Sequence, residues 1–150
     1  EKYIIIRTSW VFSEYGSNFV KSIIRLANER NELSIVSDQY GCPTYAGDLA
    51  KTIYDFCKSD LSDPKIYRTY HCAGDHVTSW HGFARAIIIK GKVKKLINKP
   101  PKLMAISSDQ YVTKAKRPDY SVLYDPSIKS SNWLNSLEHV LSIIEVNIKA

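Results

Sequence analysis

One short segment constrains the fold of this chain more than any other. Tyr3-Ile4-Ile5-Ile6, closed by Arg7, is an apolar run without polar alternation. Such a run reads as a strand buried on both faces, the kind found inside a parallel sheet. A parallel strand needs neighbours, and parallel neighbours need crossover connections, usually helices. The following residues alternate in that manner. Phe19, Ile23 and Leu26, widened by Val20, Ile24 and Ala27, form a helical stripe that Ser17 or Asn18 can cap. Residues 33–36 read as a short strand, and 38–44, with Gly41 and Pro43, as a loop. A second helix starts at Tyr45 or Asp48 and carries Leu49, Ile53 and Phe56. Residues 66–72 read as a strand, and Thr78 or Ser79 caps a helix with Trp80, Phe83, Ala84 and Ile87. A weak strand over 103–106 leads into a loop over 107–120, long enough to suggest a functional role. The last helix is predicted from about Ser136 and carries Leu137, Val140, Leu141, Ile144 and Ile148. The fold class expected is α/β with parallel pairing. Only one strand has full parallel-core character, so the other strands of its sheet are expected before residue 1. An opening at Glu1-Lys2 without an initiator Met fits that expectation.

Composition narrows the function classes. At 150 residues and 44% apolar content, the chain has enough apolar surface for one core. No apolar run approaches the roughly 20 residues that cross a bilayer, so no membrane partner is expected. The net charge of +6 rests largely on Lys90, Lys92, Lys94, Lys95, Lys99 and Lys102. No aromatics interleave them as a single-strand binding surface requires. The run therefore reads as a solvated, loosely packed connection, and nucleic acid is not an expected partner. Cys42, Cys57 and Cys72 are odd in number and unpaired in spacing, which predicts reduced thiols and a cytoplasmic protein. His71, Cys72, His76 and His81 lack paired ligand spacing, so no metal site is expected.

The chemistry-bearing stretch is Arg7-Thr8-Ser9-Trp10-Val11-Phe12. It lies at the carboxyl end of the predicted strand, the edge where open α/β sheets bind ligands. Trp10 offers a large rigid face there, for a ring ligand or for packing. The six glycines never form G-x-G-x-x-G or G-x-x-G-x-x-G, so no complete dinucleotide cradle is encoded. A Tyr-x-x-x-Lys occurs at Tyr54 and Lys58, spaced to share one helix face.

Several blocks fall in a familiar order: Ile6 to Phe12, Gly16, Asn18-Phe19-Val20, Arg25-Leu26-Ala27, Leu33-Ser34-Ile35-Val36, and Asp38-Gln39-Tyr40-Gly41-Cys42-Pro43-Thr44 with Asp48-Leu49-Ala50. Tyr70-His71, Ala73-Gly74, Thr78-Ser79-Trp80, Phe83-Ala84 and Arg117-Pro118-Asp119-Tyr120-Ser121-Val122-Leu123 continue it. Together they resemble the carboxyl-terminal half of the dTDP-4-dehydrorhamnose reductase family, extended short-chain dehydrogenases/reductases with a Rossmann-like fold.

The resemblance implies the last strands of the Rossmann sheet plus a smaller α/β substrate-binding domain. It implies an enzyme that reduces the C4 ketone of dTDP-4-dehydro-L-rhamnose with NADPH or NADH, yielding dTDP-L-rhamnose for surface polysaccharide. The Gly-rich loop and a catalytic Tyr-x-x-x-Lys are expected upstream of this chain. Because the family's pair precedes the Arg-Thr-Ser-Trp strand, Tyr54 and Lys58 are taken as a coincidence. Trp10 and Arg117 are the expected substrate-binding residues, with the Arg gripping diphosphate through its fork. Thr8 and Ser9 are the expected cofactor-side residues, toward the nicotinamide amide, unless they only cap the strand end. Gln39 and Thr44 read as structural. The expected partner is a dTDP-linked 4-keto-6-deoxy sugar. A homodimer is open to the family, but Gly47 stands where metal-linked relatives carry Glu. Other openings are reduction of a neighbouring 4-keto sugar and a non-catalytic role such as a regulatory subunit of methionine adenosyltransferase.

Overall fold

The structure, a computed structural model, describes residues 2–111 and 113–149; the side chains of Ile148 and Lys149 lie outside the description, and with them the predicted role of Ile148. The elements run β1 (Ile5–Arg7), β2 (Val11–Phe12), α1 (Phe19–Glu29), β3 (Glu32–Val36), β4 (Tyr40–Gly41), β5 (Thr44–Tyr45) and α2 (Ala46–Cys57). There follow β6 (Thr69–His71), β7 (Thr78–Ser79), α3 (Trp80–Val93), β8 (Lys102–Ile106) and α4 (Trp133–Lys149). Parallel pairing dominates, as the alternation predicts. Strand β1 pairs with β6 in the register Ile6↔Tyr70, β2 with β5, and β3 with β8 from Glu32↔Lys102 to Val36↔Ile106. Among the described residues only β4 and β7 run antiparallel.

Local chemistry sets the helix ends. The Asn18 side chain accepts the Lys21 N–H, and the Ser79 side chain accepts the Gly82 N–H. Each such cap is worth about 1 kcal/mol. The α1 stripe buries Val20, Ile23, Ile24 and Ala27 against α3, which contributes Phe83, Ala84, Ile87 and Ile88. Helix α4 closes the core with Leu137, Val140, Leu141 and Ile144. It starts three residues before the predicted position, because Asn132 Oδ1 caps the Asn135 N–H and Trp133 is buried with its indole N–H on the His76 carbonyl.

Three expectations need correction. Strand β1 is not buried on both faces: Tyr3 is 51% and Ile5 46% exposed. Among the described residues its only strand partner is β6, so one edge has no ladder. Helix α2 likewise buries no residue fully, and Ile53 of its apolar stripe is 46% exposed. Period and composition show which residues are apolar; they do not supply the layer that covers them. The lysine-rich stretch errs the other way. It is no loose connection, since α3 runs through Lys92 and the next turn buries Leu96 and Ile97. Gly91 permits that turn: a Cβ there would stand 3.0 Å from Ile97 Cδ1. The lysines line the solvent side, and Lys90 pairs with Glu138 of α4 at 2.6 Å.

The segment between β8 and α4 is tied down by one ion pair. Asp125 is buried, and Arg68 donates to both its carboxylate oxygens at 3.1 and 3.4 Å while stacking on Tyr70. The Arg68 bonds, followed by those from Ser127, hold the Asp125 carboxyl well below the usual carboxylate range. A depressed folded pKa means that this stabilisation is complete above the unfolded value of about 4 and fades as pH falls toward the folded one. Asp125→Ala is expected to cost about 2–3 kcal/mol at pH 7, the range for hydrogen bonds to charged groups. Urea denaturation at pH 7 and pH 3 should show that difference shrinking in acid. An equal difference at both pH values would exclude the ion pair as its source.

Candidate functional site

Beyond Phe12, the chain organises a cleft around the carboxyl ends of β3 and β8. Both strands point the same way, and the residues just past their ends, Gln39 and Ser108, face one cavity of about 1250 Å³. Asp38 fixes the rim by accepting the Ser108 N–H and hydroxyl at 2.9 and 3.1 Å. The floor is apolar, from Leu26 of α1 and Ile35 of β3. One wall is aromatic, from Phe19 and Trp80, whose rings lie 4.7 Å apart. The long loop also lines the cavity and brings Tyr111, Lys114, Lys116 and Arg117. Arg30 adds a further cation, and the nearby carboxylate of Glu32 is paired with Lys102 at 3.5 Å. Asp109 and Asp119 of the long loop line the cavity too, so the loop's charge is mixed; aromatic rings together with an arginine fork suit a ligand that carries both a ring and an anionic group.

Arg117 therefore lies where the sequence directs attention, on the cavity. Trp10 is one layer behind it. It does not line the cavity; it stacks on Trp80, which does, with centroids 3.7 Å apart and planes 10° off parallel. Trp10 is half-buried, and its backbone φ is +51°, a left-handed conformation that bulky residues rarely hold. Its indole N–H donates to Ser121 Oγ at 3.1 Å. Thr8 and Ser9 end β1 with different fates. Ser9 Oγ donates to the Cys42 carbonyl at 3.4 Å, whereas Thr8 Oγ1 is buried without a hydrogen-bond partner. His71, paired with Arg7 across β1 and β6, has a buried Nδ1 in the same condition. Thr44 is structural, buried with its hydroxyl on the Cys42 carbonyl, but Gln39 lines the cavity. Tyr54 and Lys58 stand on exposed surface of α2 and its cap, away from the cavity, with the Lys58 ammonium 4.6 Å from the Tyr54 ring.

Sequence reasoning did not single out Trp80 or Tyr111 as cavity residues. A signal for Trp80 was present: an aromatic directly after a Ser cap must sit at a helix start, beside the strand that leads into it. Tyr111 had none, because its position depends on how the loop folds back.

Comparison with known proteins names the family. Residues 1–145 match the RmlD substrate binding domain. The chain belongs to this family. Its relatives include the dTDP-4-dehydrorhamnose reductase of Aggregatibacter actinomycetemcomitans, 38% identical over 96% of this chain and 51% of that protein. The spore coat polysaccharide biosynthesis protein SpsK of Bacillus subtilis is 36% identical over 91% of this chain and 46% of its own length. The chain spans about half the length of the curated relatives it matches. Among solved structures, the dTDP-4-dehydrorhamnose reductase of Bacillus anthracis in complex with NADP is 33% identical, with a TM-score of 0.81 over 95% of this chain and 49% of that one. The orthologue from Clostridium acetobutylicum is 31% identical, with a TM-score of 0.80 over the same shares. The RmlD-type fold is thus the Rossmann-like fold of extended short-chain dehydrogenases/reductases. No helix among the described residues is long and apolar enough to cross a membrane.

Proposed function

We propose that this chain is the sugar-nucleotide side of an NAD(P)H-dependent reductase that converts dTDP-4-dehydro-L-rhamnose to dTDP-L-rhamnose. The observation that carries the reading is the joint placement of Arg117 and the Trp80–Trp10 stack on one cavity, in a chain of this family. The fork of Arg117 suits the diphosphate, with Lys114 and Lys116 adding to the positive field. The stacked tryptophans suit the apolar face of a deoxy sugar ring.

NADPH or NADH supplies the hydride when bound. Nothing here cradles the cofactor's diphosphate, for want of a Gly-rich turn. The residue that fits its nicotinamide end is Thr8, because its hydroxyl is buried and unclaimed, which is costly unless a partner arrives. Ser9 is already engaged with Cys42. The dinucleotide-binding half, with the Tyr-Lys pair that protonates the ketone oxygen, is assigned to a preceding part of the protein. The bare edge of β1 and the uncovered stripe of α2 are surfaces that such a half would cover.

The test is NADPH consumption by the full-length protein with dTDP-4-dehydro-L-rhamnose; no consumption with this or related 4-keto sugars defeats the reading. Within it, Arg117→Ala is expected to raise the KM for the sugar nucleotide about tenfold or more, the range for losing a charge-assisted pair. Arg117→Lys should recover only part, since a point charge cannot reproduce the fork.

A further inference from the structure

The backbone of Trp10 is strained, although its ring is only half-buried at the edge of the core. Strain of this kind persists only where surrounding contacts over-determine it. Those contacts come from three separate parts of the chain, residues 40–41, 79–80 and 121. Trp80 lies flat on the ring. Ser121 Oγ accepts the indole N–H at 3.1 Å and donates its own proton to the Tyr40 carbonyl at 3.0 Å. The Ser121 backbone N–H donates to the same carbonyl at 2.8 Å. Tyr40 in turn is paired with Ser79, the residue that precedes Trp80. Gly41 completes the enclosure: a Cβ there would stand 2.6 Å from Trp10 Cε2 and 2.9 Å from Ser121 Oγ. The hydroxyl of residue 121 must therefore accept and donate at once, in a space with no room for a larger neighbour at 41.

We propose that Ser121 is a positioning residue: its hydroxyl fixes the plane of Trp10 and, through the stack, the Trp80 wall against which a nucleotide-linked sugar lies. This rests on the function proposed above. Ser121 follows Arg117 by four residues in the same segment. The hydroxyl thus links the segment that carries Arg117 to the Trp10–Trp80 stack.

The test uses the full-length protein with Ser121→Ala and Ser121→Thr. In Ser121→Ala the sugar-nucleotide KM is expected to rise about three- to tenfold, the range for one lost hydrogen bond, with the loss falling mainly on KM and not on kcat. The KM for NADPH should stay where it is. The indole N–H resonance of Trp10, assigned through Trp10→Phe, should shift and exchange faster with solvent. Ser121→Thr, which keeps the hydroxyl, should restore both readouts. An unmoved indole signal overturns the proposal, as does an unchanged sugar-nucleotide KM in an active protein. A wild-type protein inactive on every 4-keto sugar would defeat the proposed function instead, and the indole signal would still decide whether the hydroxyl holds Trp10.

Discussion

Trp10→Ala in the full-length protein is expected to lower kcat/KM for the sugar nucleotide about 100-fold, equal to about 2.7 kcal/mol of transition-state binding. The size follows from what the ring does in two places. It supplies its own surface at the end of β1, and it backs Trp80, which forms the cavity wall. Removing it leaves Trp80 without its stacking partner and Ser121 without its donor. Trp10→Phe keeps a ring for Trp80 but loses the N–H, so a smaller loss, about tenfold, is expected from one hydrogen bond and some stacking area. Stability provides the contrast. The residue holds a left-handed backbone at a cost of about 1–3 kcal/mol, a cost that alanine shares through its Cβ and only glycine escapes. Trp10→Gly, which suits a φ of +51°, should melt no lower than Trp10→Ala. Unchanged kcat/KM with a large fall in Tm would show a packing residue and remove Trp10 from the site.

The largest effect on stability is expected at Phe83. Its ring is fully buried and meets Phe12 edge-on at 5.5 Å, Phe19 at 5.4 Å and Trp133 at 5.3 Å. Those partners come from β2, α1 and α4, so one side chain joins three of the elements that surround α3. Phe83→Ala should cost about 3–5 kcal/mol, the sum of lost transfer energy and the cavity left behind. Phe83→Leu, which keeps most of the volume, should cost about 1–2 kcal/mol. Equilibrium urea denaturation measures both. Because Phe19 also walls the cavity, a partial collapse around residue 83 should weaken substrate binding in Phe83→Leu as well. A Phe83→Ala protein as stable as the wild type would mean that the core does not close around this ring.

Trp10 and Phe83 also mark two levels of legibility. The α3 stripe that carries Phe83 follows from helical period and a Ser cap, both local in sequence, and the structure buries those residues as the pattern requires. Trp10 and Arg117 were named from their setting in motifs, 107 residues apart, and the sequence contains nothing that measures the distance between them. Of the two, only Arg117 lines the cavity; Trp10 lies behind Trp80, which no pattern in the sequence pairs with it. The lysine run shows the opposite limit, since charge density hid the two apolar residues, Leu96 and Ile97, that fix that turn in the core.

What the sequence determined by itself is therefore local and short-ranged: the α/β alternation, the caps to within one residue (Ser17 or Asn18, Thr78 or Ser79), the apolar stripes, and the motifs that identify the family. Backbone hydrogen bonding and side-chain period act over a few residues, so they are written in consecutive letters. Tertiary structure alone decided which apolar faces find cover, how β3 and β8 come side by side to open a cleft, and how a glycine, a serine and a second tryptophan from distant positions enclose one strained tryptophan. Those outcomes depend on steric fit and on hydrogen-bond partners brought together by folding, and neither has a signature in the order of residues along the chain.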